Sequence, residues 1–238
     1  MPDKREHRGP HPADRELFAP ETLLRLREAL ADFSLLLTKG YADKSALKLV
    51  GDRFSLTQRQ RLAVMRCACS DQQLQSRRDR CVEISALAGR DIAIDGYNLL
   101  ITIEAALSGG LIFRGRDGCF RDLASIHGTY RKVEETIPAL ELIGTFLHDL
   151  GVASALWLLD SPVSNSGRLK TLMTQIAQQH QWPWTIRLSL NPDAELKQTD
   201  QIVATTDSVI LDTCGRWANL AAEVITRNLP NASTVTLA

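Results

Sequence analysis

Three short apolar runs end in aspartate. DIAID closes on Asp95, ASALWLLD on Asp160 and QIVATTD on Asp207. A fourth run, WTIRLSL, leads into NPDAE, which holds Asp193 and Glu195. Carboxylates gathered at one place suit a hard divalent cation, Mg2+ or Mn2+. Such an ion takes oxygen ligands and completes its shell with water and substrate phosphate. It lowers the pKa of a bound water and neutralises charge that builds on phosphoryl oxygens. Phosphoester hydrolysis is therefore the chemistry expected at a site made of Asp95, Asp160 and Asp207, with Asp193 a further metal ligand. Each aspartate also has an ordinary use, as a helix cap or the start of a turn. Three strands that end alike favour the shared site.

Two further stretches carry charge or polarity where it is costly or unusual. Glu104 lies among Ile101, Ile103, Ala105 and Leu107, and it shares a helix face with Tyr97, seven residues earlier. A buried carboxylate needs a partner or a metal. Glu104 is read either as a second acid of the site or as the ion-pair partner of an arginine in the other module or in the 114–121 loop. In DSPVSNSGRLK, Ser164, Asn165, Ser166 and Gly167 stand just before a helix, with Arg168 and Lys170 in its first turn. Backbone N–H groups at a helix start bind anions, and cations there oppose the helix dipole unless a phosphate is present. Ordinary capping by Ser166 is the alternative. No Walker loop, G-x-G-x-x-G or H-E-x-x-H occurs, so the usual nucleotide, dinucleotide and zinc-protease motifs are absent. Cys67, Cys69 and Cys81 lack a nearby fourth ligand and read as reduced, buried thiols rather than a zinc site.

The elements that must position these residues fall into two groups. Leu23, Leu26, Leu30, Phe33 and Leu37 recur at helical spacing after Pro20, with Gly40 as a stop. Further helices are expected near Asp43 and from Thr57 to about Cys69. From Asp91 onward strands alternate with helices, including a long helix expected from Tyr130 to Leu150. This pattern predicts an α/β parallel sheet covered by helices on both faces. The expected organisation is a disordered tail at 1–18, a basic all-α module at 19–88 and the α/β domain at 89–238. Residues 1–90 hold 17 Lys and Arg against 12 Asp and Glu, whereas residues 91–238 hold 11 against 16. The basic module is thus expected to guide a polyanion through Arg53, Arg59, Arg66, Arg77 and Arg78. The polar N-terminus, an odd count of five cysteines and the lack of a membrane span point to a cytoplasmic protein.

At IDGYN the chain resembles the NYN and YacP-like branch of the PIN-like nuclease superfamily. LLTKGYADKSALKLVGDRFSLTQRQRLAVMRCACS is similar to the prokaryotic domain of unknown function 434. IDGYNLLITIEAAL, LLDSPVSNSGRLK and VATTDSVILD resemble the PIN-like domain that follows it in that family. The resemblance spans about residues 20–225 and implies a metal-dependent ribonuclease. By motif position, Asp95 is its strand-one acid, Asp207 the acid after a later strand, Asp160 a strand-end acid and Glu104 a helix acid. Asp193 matches the acid before the last strand, and Asn98 orients a phosphate or a metal-bound water. PIN-like domains often form homodimers. The SNSG element is not a general PIN feature. A Mg2+/Mn2+-dependent endoribonuclease is therefore expected, with a non-catalytic RNA-binding or ribosome-associated protein as the alternative. An aspartyl-nucleophile phosphatase would want an aspartate two residues after Asp95, where Tyr97 stands.

Overall fold

The computed structural model describes residues 6–124 and 128–238. Its first module comprises α1 (Asp14–Leu17), α2 (Pro20–Thr38), α3 (Asp43–Arg53), α4 (Gln58–Cys67) and α5 (Asp71–Arg80). Pro20 occupies the first turn of α2, where its missing N–H costs nothing. Reciprocal capping boxes, Thr57 with Gln60 and Ser70 with Gln73, start α4 and α5. The apolar stripe of α2, with Leu26, Leu30 and Phe33, packs on Val50, Val64 and Cys67. Phe113, Leu123 and Leu237 from the second module complete that core, so the modules are fused rather than tethered.

The second module runs β1 (Asp91–Asp95), α6 (Gly96–Leu107), β2 (Ile112–Arg114), β3 (Phe120–Arg121), α7 (Thr136–Asp149), β4 (Ser154–Asp160), α8 (Ser166–Gln179) and β5 (Trp184–Ser189). It continues with α9 (Pro192–Gln198), β6 (Ile202–Ala204), α10 (Ser208–Leu211), β7 (Trp217–Ala218), α11 (Leu220–Asn228) and β8 (Thr234–Thr236). Five strands form one parallel sheet in the order β5-β4-β1-β6-β7. The fold is therefore α/β, with β1 at the centre of the sheet. Side chains alternate across each strand. Ile92, Ile94, Trp157 and Leu159 face a core built with α6, α7, α8 and α11. Ala93, Leu158 and Val203 face Leu196 of α9 and Ile210 and Leu211 of α10. The second sheet, β3-β2-β8, sits against the helical module.

Three expectations change. The helix expected from Tyr130 begins at Thr136. Pro138 is its third residue, and a longer N-terminal extension would put that ring in the helix interior, where it clashes with the carbonyl four residues back. Residues 6–18, expected to belong to a disordered tail, are packed in place; residues 1–5 of that tail lie outside the described residues. The composition of residues 6–18 is polar, but two of their charges are buried against partners. Asp14, 3 % exposed, is paired with Arg59, and Arg8 is buried against Glu104. All five cysteines are free, and Cys67, Cys69, Cys119 and Cys214 are buried, but Cys81, expected to be buried, is exposed at the end of α5. Among the described residues no helix is long and apolar enough to cross a membrane.

Candidate active site at the strand ends

In an open parallel sheet the crevice beyond the carboxyl ends of the strands opens where the strand order reverses. Here that point lies between β1 and β6, because the chain builds outward from β1 through β4 and β5, then returns to the other side. The β1–β6 register pairs Ile94 with Ala204, which sets Asp95 beside Thr205. Thr205 Oγ1 donates to Asp95 Oδ2 at 2.7 Å, and Asn98 Nδ2 donates to the same oxygen at 2.7 Å. Gly96 follows because a Cβ there would lie 2.7 Å from the Leu158 carbonyl oxygen, so α6 can leave the sheet at this height only with glycine. Burial pushes the Asp95 carboxyl up to about 7. Asp207 and Asp193 add to the rise, while Thr205 and Asn98 oppose it.

The other expected acids surround Asp95 without forming a tight cage. Asp160 pairs in register with Ser189, while Asp95 pairs with Leu158, so Asp160 lies two residues, about 6.6 Å, further along the strand direction and on the same sheet face. Burial and then Asp193 raise its carboxyl. Asp193 is exposed in the first turn of α9, and its carboxyl is raised by desolvation and by Asp207. Asp207 caps α10 through Oδ1, which accepts from the Val209 and Ile210 amides at 2.7 and 3.2 Å. β6 ends at Ala204, so Asp207 does not close that strand as expected but stands three residues beyond it as a helix cap. Among the described residues no three His, Cys, Asp or Glu side chains are grouped closely enough to hold a metal by themselves.

Asn98 and Asp207 open onto a cleft of about 340 Å³ between the modules. Its opposite wall is Phe33, Leu37 and Met65 of the helical module, beside Arg66 and Gln73. Asp95, Asp160 and Asp193 do not line this cleft; Asp95 is joined to its wall through Asn98. The helical module therefore contributes a mixed wall, in which Arg66 and Arg77 of the expected basic track stand beside the apolar side chains. Arg59 is spent on Asp14, and Arg66 donates to the carbonyls of Asp122 and Ala124. Arg77 is 1 % exposed between Asp117 and Asp212, and Arg53 pairs with Asp32. A guanidinium taken out of water must find carboxylates or carbonyls, and Arg59, Arg66 and Arg77 did so inside the fold, whereas Arg53 keeps its pair at the surface. Arg78 alone of the five is exposed with no ion pair among the described residues.

Glu104 is not part of the acidic site. Nine residues separate it from Asp95, about 13 Å along α6. It is wholly buried, with Arg8 Nε at 2.8 Å and hydroxyl donors Tyr130 at 2.5 Å and Thr136 at 2.6 Å. Burial pushes its carboxyl up, against Arg8, Thr136 and Tyr130. The ion-pair reading was correct in kind, but the arginine comes from the N-terminal segment rather than the helical module or the 114–121 loop.

The SNSG element is also redistributed. Ser166 is buried, and its hydroxyl donates to a neighbouring carbonyl, Asp160 or Val163, and meets Tyr97 Oη at 2.6 Å. It neither caps α8 nor faces a ligand. Asn165 takes a left-handed backbone, φ 73°, and donates to the Tyr130 carbonyl. Ser164, Gly167, Arg168 and Lys170 are exposed, and none of them lines the cleft beside Asp95. Sequence reasoning missed Thr205, Asp122, Asp117 and Arg121. Asp122 accepts from Thr102 at 2.9 Å and lines the cleft, while Arg121 is held by Asp117 and donates to the Thr206 carbonyl just before Asp207. The hydroxyl in TTD beside a strand-end acid was the one available signal; the arginine–aspartate pairing of RDGCFRD needs the hairpin to be meaningful.

Comparison with known proteins divides the chain similarly. Residues 25–80 match a family model described as a protein of unknown function (DUF434), and residues 84–223 match one described as a domain of unknown function (DUF5616). The chain is 29% identical over 188 residues to the uncharacterized protein MJ0935 of Methanocaldococcus jannaschii, covering 79% of this chain and 89% of that protein. No solved structure matches.

Proposed function

The chain belongs to the family of the domain of unknown function DUF5616, and from that premise we propose that its strand-end acids serve a Mg2+- or Mn2+-dependent endoribonuclease with a PIN-like domain. Asp95 carries the reading. It is a carboxylate kept at 7 % exposure on the central strand, at the switch point, with its carboxyl raised to about 7. A fold gains nothing from such a group unless the group has a use.

The donor set suits a hard cation, since every group around Asp95 is an oxygen donor or a neutral amide. Asp95, with Asp207 or Asp160 beside it, would hold the ion. Waters and phosphate oxygens would fill the remaining positions, as is usual for Mg2+. Bound there, the ion supplies an activated water and a counter-charge for the phosphoryl oxygens. Asn98 and Thr205 fix Asp95 by its Oδ2, which leaves Oδ1 as the atom available to a ligand. Phe33, Leu37 and Met65 form the apolar part of the cleft's wall, and its volume falls at the small end of ligand sites, the size of one nucleoside rather than a duplex.

Purified protein is expected to cut short single-stranded RNA in Mn2+ or Mg2+ and to leave it intact in chelator, read by gel electrophoresis of end-labelled substrate. RNA that is bound but uncut in every divalent ion tested would favour the non-catalytic RNA-binding alternative.

A further inference from the structure

Arg168 was expected at the acidic site but lines a different hollow. A groove of about 440 Å³ lies between the start of α8 and the segment before α7. Arg131, Lys132 and Arg168 line it with Asn165, over the apolar side chains of Leu169 and Leu172. Among the described residues no carboxylate lines it. Lys132 and Arg168 are exposed, and neither forms an ion pair among the described residues. This contrasts with Arg59, Arg66, Arg77 and Arg121, all spent on internal acceptors. Residues 91–238 carry only 11 Lys and Arg, and three of them meet in this one hollow.

The groove adjoins the strand end that bears Asp95. Tyr130 forms part of its wall and packs on Tyr97 with ring centroids 5.3 Å apart. Tyr97 in turn meets Ser166 at the head of α8 and stands two residues after Asp95. Tyr97 and Ser166 thus link the groove's wall to the ends of β1 and β4. Lys132 and Arg168, with a neutral amide beside them and no exposed aromatic ring, suit phosphates and do not read bases.

We propose that this groove binds the phosphate backbone of single-stranded nucleic acid, as a second site that holds the strand whose scissile bond lies at Asp95. The second clause rests on the nuclease reading; backbone binding in the groove does not.

The test is fluorescence anisotropy of a labelled single-stranded RNA in chelator, over a salt series, with the wild-type chain and the double variant Lys132→Gln/Arg168→Gln. Both side chains are exposed, so an unchanged melting curve is the folding control. The variant is expected to bind roughly tenfold more weakly, and its slope of log affinity against log salt should be shallower by about 1.4, since each phosphate contact on a single strand contributes about 0.7. Cleavage of a dinucleotide, too short to reach the groove, should stay at the wild-type rate. Unchanged affinity and slope would overturn the proposal, as would a nucleoside monophosphate that binds as tightly as the RNA. RNA binding that depends on the groove, without cleavage in any metal, would leave the groove standing and refute the nuclease reading. Cleavage without groove dependence would refute the groove alone.

Discussion

Asp95→Asn is expected to lower metal-dependent RNA cleavage by about three orders of magnitude, roughly 4 kcal/mol in the barrier, while raising the melting temperature of the metal-free protein. The two effects have one cause. Burial raises the Asp95 carboxyl from its ordinary value to about 7. The folded chain therefore holds this proton more tightly than the unfolded chain does, and stability falls as pH rises from about 4 to about 7. At pH 8 the carboxylate is ionised, buried and unrelieved by any cation, so the neutral amide removes a cost. Asn98 and Thr205 can still donate to the amide oxygen. The wild-type activity should also rise with pH up to about 7, because proton and metal compete for the same oxygens. Calorimetry at pH 8 and a pH–rate profile check both parts. A variant that melts lower than the wild type in chelator, or that keeps its activity, contradicts the assignment.

The second large effect concerns stability. Asp117 is 2 % exposed at its side chain and sits between two buried guanidinium groups. It accepts from Arg77 at 2.6 Å and from Arg121 at 2.9 and 2.7 Å. Arg77 comes from α5 and also holds Asp212, while Arg121 holds the Thr206 carbonyl. One carboxylate thus joins the helical module, the hairpin and the loop that carries Asp207. Asp117→Ala would leave two cations buried without their shared partner. Breaking a buried pair in this way costs about 3–5 kcal/mol, a large share of a typical stability of about 5–15 kcal/mol. Urea denaturation measures it, and a loss under about 1 kcal/mol would mean that water or other groups replace the carboxylate. The pH dependence has the opposite sign to that of Asp95. Burial alone would raise Asp117, but Arg121 and Arg77 hold it well below the usual carboxylate range. Its contribution is therefore present above about pH 4 and is lost as acid protonates the folded state.

Much of the α/β pattern was legible because strands and helices differ in period. DIAID and ASALWLLD became β1 and β4, with Asp95 and Asp160 at their ends as read. Thr57 capped α4 as its position suggested. Partners far apart in sequence were not legible. Arg8 and Glu104 lie 96 residues apart, and Arg77 and Asp212 lie 135 apart. Composition made residues 6–18 look like a tail, since a polar segment reads the same whether its charges face water or buried partners. The same ambiguity turned Arg59, Arg66 and Arg77 into an apparent nucleic-acid track. Clustered arginines in sequence report charge, but only the fold shows which of them have already been neutralised. Arg168 was misplaced for a geometric reason: α8 begins near the acidic face but turns Arg168 toward residues 131 and 132.

The central claim is that Asp95 is a metal ligand at the sheet's switch point. Crystals of the full chain soaked in MnCl2 and measured at the manganese absorption edge test it most directly. The account predicts an anomalous peak about 2.0–2.2 Å from an Asp95 carboxylate oxygen, with water and at most one or two further acids completing the shell. Manganese bound elsewhere, with Asp95 bare and still joined only to Asn98 and Thr205, would contradict it.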